Sequence, residues 1–304
     1  MQEPWQRYLR LGIVHFMAFP EVMKGDGPYA DTIRRIARDD FFSAIEVGWA
    51  HDPMERQAAA AVLAESHLSV GFGAQSALLT TKSDLNALDE AARRKAVALV
   101  EGCIDQAEAL GARRVAVLSG PYPGAADEAK AKERLVDSLM ELSAYGRDRD
   151  IAITLETFDR TIEKRALAGP TKFCVEVSEA VRRQYPEFGL MLDLSHMPLL
   201  NESPRESLTA GRDHLVHAHI GNCVMGDPKH PAYGDQHPRF GIAGGANDTP
   251  EVLEYLRVLF EIGFLGRAGH RPFLSFEVKP LPGEDSAAVI AGTKRVFADA
   301  WAQL

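Results

Sequence analysis

Ionisable side chains stand at the ends of the last four apolar, strand-like runs of this sequence. The runs cover residues 151–156, 190–193, 215–219 and 273–277, and they end in Glu156, Asp193, His219 and Glu277. Buried ionisable groups are costly unless they pair with one another or bind a metal ion. Three carboxylates and one imidazole form an oxygen-rich ligand set that suits a divalent ion such as Mn²⁺, Mg²⁺ or Co²⁺. A structural zinc site would instead be rich in cysteine. The pattern therefore predicts a divalent-metal site.

The alternation of side chains along each run predicts that these four groups point to one interior. Side chains of a strand alternate between its two faces. If Glu277 points inward, then Phe276 and Leu274 point outward, and the same division holds in the other three runs. His217 shares the face of His219, and we interpret it as a core histidine or a support for the site rather than a ligand. Glu46 ends an earlier run, where it is expected either to contact substrate or to pair with a nearby cation.

Short apolar runs alternate with longer amphipathic segments along the whole chain. The predicted strands cover residues 11–19, 42–49, 68–75, 114–118, 151–157, 190–194, 215–220 and 273–278. The predicted helices cover residues 29–39, 53–66, 90–110, 128–147, 172–184, 204–211, 250–262 and 286–301. Eight strand–helix units over 304 residues predict an α/β fold, a (β/α)₈ TIM barrel. The main alternative is a doubly wound open sheet, which the absence of a Gly-rich phosphate fingerprint after the first strand disfavours.

The sequence contains neither a linker nor a low-complexity stretch, so a single domain over residues 1–304 is expected. Its longest irregular segment, residues 221–247, is rich in Gly, Pro, His and Asp. Long loops within a compact domain are usually functional or disordered. Because this loop directly follows His219, we interpret it as an active-site lid in which His237 and Arg239 close over the site. The alternative is a solvated loop with structural histidines.

Composition restricts the classes of protein that the chain can represent. The formal net charge of −9 disfavours a general nucleic-acid binder, which needs a basic surface to neutralise phosphates. Three widely spaced cysteines, Cys103, Cys174 and Cys223, favour a reducing compartment over a disulfide framework. No apolar run approaches the roughly 20 residues needed to span a bilayer, and the N-terminus lacks an apolar signal core. These features predict a cytoplasmic protein with no membrane partner.

At these residues the chain resembles the xylose isomerase-like TIM-barrel superfamily. More narrowly, it is similar to the ketose 3-epimerases and to the inosose-type isomerases and dehydratases. The matching stretches are residues 155–157, 192–197, 217–221 and 276–278. They include an Asp-x-x-His and a His-x-His motif, which are characteristic of the superfamily rather than of one substrate. Because the number of strand–helix units also agrees, the resemblance covers essentially the whole chain.

The resemblance implies a site built on one divalent ion. Its ligands would be Glu156, Asp193, His219 and Glu277, and the ion would be Mn²⁺ most often, with Mg²⁺, Co²⁺ and Zn²⁺ as alternatives. His196 would contact the substrate near the ion. Glu156 and Glu277 would also be the acid–base pair on opposite faces of the sugar.

The implied activity is that of a metal-dependent isomerase or epimerase acting on a keto sugar or keto-inositol through an enediolate. The His-rich segment 230–241 is longer than the corresponding connection of the epimerases. In this general layout the chain also resembles the catalytic subunits of C-glycoside deglycosidases, lyases on 3-keto C-glycosides that need a small partner subunit. An inosose dehydratase-like lyase is a related alternative.

Further expectations concern two rival classes of protein, the substrate and the oligomeric state. An endonuclease IV-like repair enzyme would need more metal ligands and a basic groove, which the net charge disfavours. A non-catalytic sugar-binding barrel is disfavoured by the complete ligand set. The expected partner is a small-molecule carbohydrate, and the sequence shows no Gly-rich loop to cradle a phosphate, so the substrate is expected to be unphosphorylated. The resemblance favours a homo-oligomer.

Overall fold

The structure is a computed structural model that describes residues 3–304, so the first two residues of the predicted domain lie outside the described part. Eight parallel strands form one sheet with the neighbour order β1-β8-β7-β6-β5-β4-β3-β2. A parallel bridge between Val14 and Glu46 joins the two edges of the sheet. The strands are β1 (Arg10–Ile13), β2 (Ala44–Val47), β3 (Ser69–Gly73), β4 (Arg114–Val117), β5 (Ala152–Glu156), β6 (Gly189–Asp193), β7 (Leu215–Gly221) and β8 (Phe273–Glu277). With helices between the strands, this is a (β/α)₈ TIM barrel, and the predicted fold class is confirmed.

Several helices begin at residues with recognisable capping chemistry. The Asp52 and Asp89 carboxylates accept backbone N–H groups at the starts of the helices Pro53–Ser66 and Glu90–Ala109. Gly111, just beyond the second of these helices, has a φ of +80°, a conformation that glycine adopts without strain. The helices are α1 (His15–Ala18), α2 (Tyr29–Ala37), α3 (Pro53–Ser66), α4 (Gln75–Thr81), α5 (Glu90–Ala109), α6 (Glu128–Arg147), α7 (Thr171–Arg182), α8 (His196–Leu200), α9 (Pro204–Gly211), α10 (Thr249–Glu261) and α11 (Ser286–Ala302).

Alternating residues of the strands face the barrel interior and the surrounding helices, as predicted. On the helix side of β8, the ring of Phe276 packs against Phe297 of α11 at 5.6 Å between ring centroids. On the inner side, the ring of Phe273 lies 5.3 Å from that of His217 on β7. Glu277, four residues after Phe273, lies on the same inner face of β8, and its carboxylate reaches His219.

The structure differs from the sequence prediction after the first and third strands. The predicted strand 11–19 ends at Ile13, and His15–Ala18 forms a short helix. The predicted strand 68–75 ends at Gly73, and Gln75–Thr81 forms α4. Short apolar runs do not by themselves distinguish a buried strand from a buried helix, which is why both ends were wrong. The difference matters because α4 brings Gln75 to the C-terminal ends of the strands, the end of a TIM barrel at which active sites form and which we call the catalytic face.

The segment 221–247 between β7 and α10 is folded onto the C-terminal ends of the strands. The side-chain amide of Asn247 donates to the carbonyls of Leu194, after β6, and Gly221, at the end of β7. The carbonyl of His237 accepts the backbone N–H of Lys279, after β8, at 2.7 Å. The segment therefore forms one wall of the catalytic face. Across residues 3–304, no helix is both long and apolar enough to cross a membrane.

Candidate metal centre

The four residues predicted from the strand ends converge in the structure. Glu156, Asp193, His219 and Glu277 each offer one ligand atom, and these atoms all lie within 4.8 Å of one another. They come from the adjacent strands β5, β6, β7 and β8, at the end of the barrel where catalytic groups gather. All four side chains are buried. The strands thus bring three carboxylates and one imidazole to a single point.

Two of the converging oxygens fit a bound cation because nothing else in the described chain satisfies them. Glu156 Oε1 and Asp193 Oδ2 are buried and have no hydrogen-bond partner. They lie 3.7 and 3.8 Å from His219 Nδ1, whose other close neighbour is Glu277 Oε2 at 2.7 Å. Unpaired carboxylate oxygens in a low-dielectric interior are costly, and a cation among them removes that cost. The ligand set can therefore hold a divalent metal ion.

The remaining atoms of the same side chains are fixed by hydrogen bonds, which aim the ligand atoms inward. Glu156 Oε2 accepts from the side-chain amide of Gln75 at 2.7 Å. Asp193 Oδ1 accepts from the backbone N–H of Ser195 at 2.6 Å. Metal ligands in proteins are usually oriented by such outer partners, and the partners raise the affinity for the ion.

Glu46 supports the site from within the barrel. Its Oε1 accepts from Nε2 of His217 at 2.7 Å and from Nε2 of His219 at 3.0 Å. Burial alone raises the pKa of Glu46, but the two imidazoles outweigh burial and hold that pKa well below its usual range. Of the two expectations for Glu46, the structure shows the pairing with a cationic neighbour. His217 reaches this carboxylate and not the four-residue cluster, in agreement with its predicted supporting position.

Electrostatic interactions make the two glutamates unlike each other in the metal-free protein. Burial and the nearby charge of Glu277 raise the pKa of Glu156 to about 8. Burial acts in the same direction on Glu277, but the imidazoles of His237 and His219 outweigh it and lower the pKa of Glu277 to about 2. His219 faces carboxylates with both nitrogens, so its pKa is well above the usual range despite its burial. A protonated and an ionised carboxyl therefore both face Nδ1 of one imidazolium.

We expect metal binding to release protons, since a divalent ion binds only deprotonated ligands. At pH 7 the carboxyl of Glu156 retains its proton, because its pKa is about 8. Calorimetric titration with Mn²⁺ in two buffers of different ionisation enthalpy should therefore show release of at least about one proton at pH 7. The share from Glu156 should vanish as the pH rises above 8, and the affinity should fall as the pH falls. Binding without proton release at pH 7 would contradict the assignment of these ligands.

A small cavity lies beside the cluster. It has a volume of about 110 Å³, and Glu277 and His237 form part of its polar wall. Lys164, Lys279 and Phe16 also line it. We call it the reaction cavity because it is the space next to the converging ligand atoms.

His196 and His237 meet at a third residue, Asp235. Asp235 Oδ1 lies 3.0 Å from His196 Nε2 and 2.7 Å from His237 Nε2. Asp235 as a whole is 3% exposed. His196 Nδ1 donates to the carbonyl of Thr157 at 2.6 Å. Burial raises the pKa of Asp235, but His196, His237 and Lys164 outweigh it and hold the pKa well below its usual range. Both predicted histidines are thus brought to the site, with both ring nitrogens of His196 facing protein acceptors.

The close packing of the loop against the strands leaves no room for a larger residue at Gly221. A Cβ at this position would lie 2.8 Å from the carbonyl oxygen of Glu277 and 3.1 Å from His237 Nδ1. His237 itself has a φ of +48°, which is uncommon for residues other than glycine. The loop therefore holds His237 in a conformation that tertiary contacts must maintain.

Arg239 does not reach the four-residue cluster. Its guanidinium donates from Nε to Glu284 Oε1 at 2.8 Å, and its side chain is 42% exposed. It lines a separate cavity of about 410 Å³ against α11. Although the loop folds over the catalytic face, the structure turns Arg239 outward, away from the position expected for substrate contact.

Sequence reasoning missed several residues of the site. Gln75 stands at the end of the third predicted strand, so the strand-end rule applied to every strand would have found it. Asp235 and Lys164 lie in loops, and no periodicity marks them. Lys164 is held by Glu163 Oε1 at 2.8 Å and by the carbonyl of Asp235 at 3.1 Å.

Replacing Asp235 by asparagine should lower the catalytic efficiency of the protein without removing the metal. The change removes the charge that faces two imidazoles and Lys164, and hydrogen bonds to charged groups contribute about 1.5–3 kcal/mol each. We expect kcat/KM to fall about 10- to 100-fold with the metal content unchanged. Glu284→Gln is the matched control, because Glu284 anchors the same loop through Arg239 outside the reaction cavity. Equal losses in both variants would mean that Asp235 only anchors the loop.

Comparison with known families agrees with this geometry. Residues 11–273 match the family model described as xylose isomerase-like TIM barrel. This match covers most of the chain, so the protein belongs to the xylose isomerase-like TIM-barrel family. No curated protein matches the sequence.

Solved structures share the fold at low sequence identity. A D-tagatose 3-epimerase-like protein is 17% identical with a TM-score of 0.71, over 97% of this chain and 99% of that one. The IolI protein with a bound zinc atom is 16% identical with a TM-score of 0.70, over 96% and 98%. The 3-keto-D-glucoside 4-epimerase YcjR from E. coli, in its apo form, is 15% identical with a TM-score of 0.65, over 95% and 99%.

Proposed function

We propose that this protein is a divalent-metal-dependent isomerase or epimerase of a keto sugar or keto-inositol. The observation that carries the proposal is the convergence of Glu156, Asp193, His219 and Glu277 around two buried, unpartnered oxygens. The family supports it, because the structural relatives include proteins described as a 3-epimerase-like protein and as a 4-epimerase of a keto glucoside. We propose Mn²⁺ as the ion, with Mg²⁺, Co²⁺ and Zn²⁺ as alternatives. A zinc atom is bound in one relative.

The proposed reaction moves a proton next to a carbonyl group. A divalent ion at the cluster, when bound, supplies Lewis-acid stabilisation of the negative charge that develops as the neighbouring C–H is deprotonated. One of the two glutamates removes that proton and the other returns one from the opposite face. Return to the same carbon gives epimerisation, and return to the adjacent carbon gives isomerisation. Gln75 and Glu46 hold Glu156 and His219 in place during these transfers.

The walls of the reaction cavity supply orientation and exclude water. His237 and Lys164 line the cavity, and Asp235 fixes both of them through its carboxylate. Phe158 also lines the cavity, and its ring lies 4.5 Å from that of His196 between centroids. Groups held this firmly lose little entropy when a sugar binds.

Solvent exchange tests the proposal directly. Metal-loaded protein in D₂O is incubated with D-fructose, D-tagatose, a keto-inositol and methyl 3-keto-β-D-glucopyranoside. NMR should show one solvent deuterium at the carbon next to the carbonyl of at least one sugar, together with its epimer or isomer. Absence of exchange with every sugar, in protein shown to contain metal, would contradict the proposal.

The lyase alternative shares the same first proton transfer. Loss of a leaving group from the β-carbon, instead of return of a proton, gives dehydration or cleavage of a C-glycoside. The 3-keto glucoside named for one structural relative keeps this alternative open. An unsaturated product would identify the lyase, and a second chain that co-purifies with activity would identify the deglycosidase form.

A further inference from the structure

A second cavity adjoins the reaction cavity at the catalytic face of the barrel. It has a volume of about 290 Å³ and lies beyond the C-terminal end of β4, where Leu118 and Pro121 line it. Leu79 of α4 and Lys164 line both cavities, so these two side chains stand at the junction. The second cavity therefore borders the reaction cavity beside the metal cluster.

The sizes of the two cavities suggest that one ligand uses both. Pockets for small organic ligands usually measure about 300–1,000 Å³. The reaction cavity, at about 110 Å³, is well below this range, whereas the two cavities together fall within it. A keto sugar over the metal cluster would thus leave the second cavity for a further part of the same molecule.

The second cavity is lined mainly by apolar surface and also by Ser83, Ser119 and the solvent-exposed Lys82, and it carries one exposed hydrophobic residue. Leu78, Leu118 and Ala166 form its buried wall. Leu79 is 42% exposed, and apolar side chains of this kind predominate in the lining of ligand pockets. Within residues 3–304, the other exposed large hydrophobic residues are Met54, at 75%, and Met225, at 36%.

The charge of Lys164 does not require an anionic ligand. Its ammonium group donates to Glu163 Oε1 at 2.8 Å and lies 3.3 Å from Asp235 Oδ2. These two carboxylates already pair with its charge. The junction of the two cavities is therefore formed by one apolar side chain, Leu79, and by one lysine whose charge is paired.

Resting on the function proposed above, we propose that the second cavity is a subsite for an uncharged aryl or alkyl substituent of the substrate. The substrate is then a keto glycoside, with its sugar ring in the reaction cavity and its aglycone against Leu79. A free keto sugar would fill only the smaller cavity.

Binding of two matched glycosides to the Mn²⁺-loaded protein tests the subsite. Calorimetry compares methyl and phenyl 3-keto-β-D-glucopyranoside, which differ only in the aglycone. Burial of a phenyl group should make the phenyl glycoside bind about tenfold tighter or more. Leu79→Gln should reduce this preference to about twofold; the ratio of the two affinities is the readout, because Leu79 also lines the reaction cavity. Met54→Gln, a change at a 75% exposed residue of α3, should leave both affinities unchanged.

Other outcomes separate the subsite from the proposed function. Equal binding of the two glycosides, or a preference that survives Leu79→Gln, overturns the subsite. If neither glycoside binds while D-fructose or D-tagatose exchanges its proton, the subsite is wrong and the proposed function stands. If none of these sugars binds or exchanges, the proposed function fails and the subsite fails with it.

Discussion

Replacing Glu277 by glutamine should lower kcat for epimerisation by about 10²- to 10⁴-fold, the range that a positioned general acid or base contributes. Glu156→Gln should have an effect of the same size. Glutamine keeps the shape of the side chain but cannot accept the substrate proton. Because each residue is also a proposed metal ligand, the rates are measured at saturating Mn²⁺, with metal content determined on the same samples. Glu284→Gln serves as the control, since Glu284 lies at the same end of the barrel but outside the reaction cavity.

The two variants should also differ in solvent exchange. If the glutamates serve opposite faces of the sugar, each single variant should still exchange the proton of one epimer with D₂O while net epimerisation is lost. The double variant should lose both. A single variant that retains more than about a tenth of the parental kcat at saturating metal would contradict the acid–base role of that glutamate.

Replacing Glu46 by glutamine should weaken metal binding about 10- to 100-fold, as loss of the outer partner of a metal-binding histidine does elsewhere. Glu46 accepts from His219 Nε2, which orients Nδ1 toward Glu156, Asp193 and Glu277. The amide of glutamine accepts this N–H less strongly than a carboxylate does. The substitution also removes the negative charge of Glu46, which makes the imidazole of His219 a better ligand. Competition with a chelator of known affinity measures the change.

The matched control for Glu46 is Glu202, a half-buried glutamate outside the barrel interior. Glu202→Gln alters a carboxylate that accepts from the backbone N–H of Thr171 at 3.0 Å and should leave metal affinity unchanged. An unchanged affinity in Glu46→Gln would mean that His219 is oriented by packing alone.

The convergence of the four proposed ligands was predictable because it depends on two simple regularities. Side chains alternate along a strand, and the C-terminal ends of parallel strands meet at one end of a barrel. Glu156, Asp193 and Glu277 are the last residues of their strands, and His219 stands two residues before the end of its strand. Local sequence therefore suffices to place them together.

The loop residues were not predictable to the same degree. Asp235, His237 and Arg239 lie within five residues of one another, but the first two are buried at the site and the third points outward to Glu284. The path of the loop is set by tertiary contacts, such as those of Asn247, and by positive φ angles at His237 and Gly241. No periodic pattern in the sequence carries that information.

Metal content tests the central claim most directly. It is measured by inductively coupled plasma mass spectrometry on protein purified without chelator and on the Glu156→Gln/Glu277→Gln double variant. We predict about one equivalent of Mn, Co, Zn or Mg in the parent protein and loss of that equivalent in the variant. A parent protein with no bound metal and no thermal shift on addition of Mn²⁺ would contradict the four-ligand site.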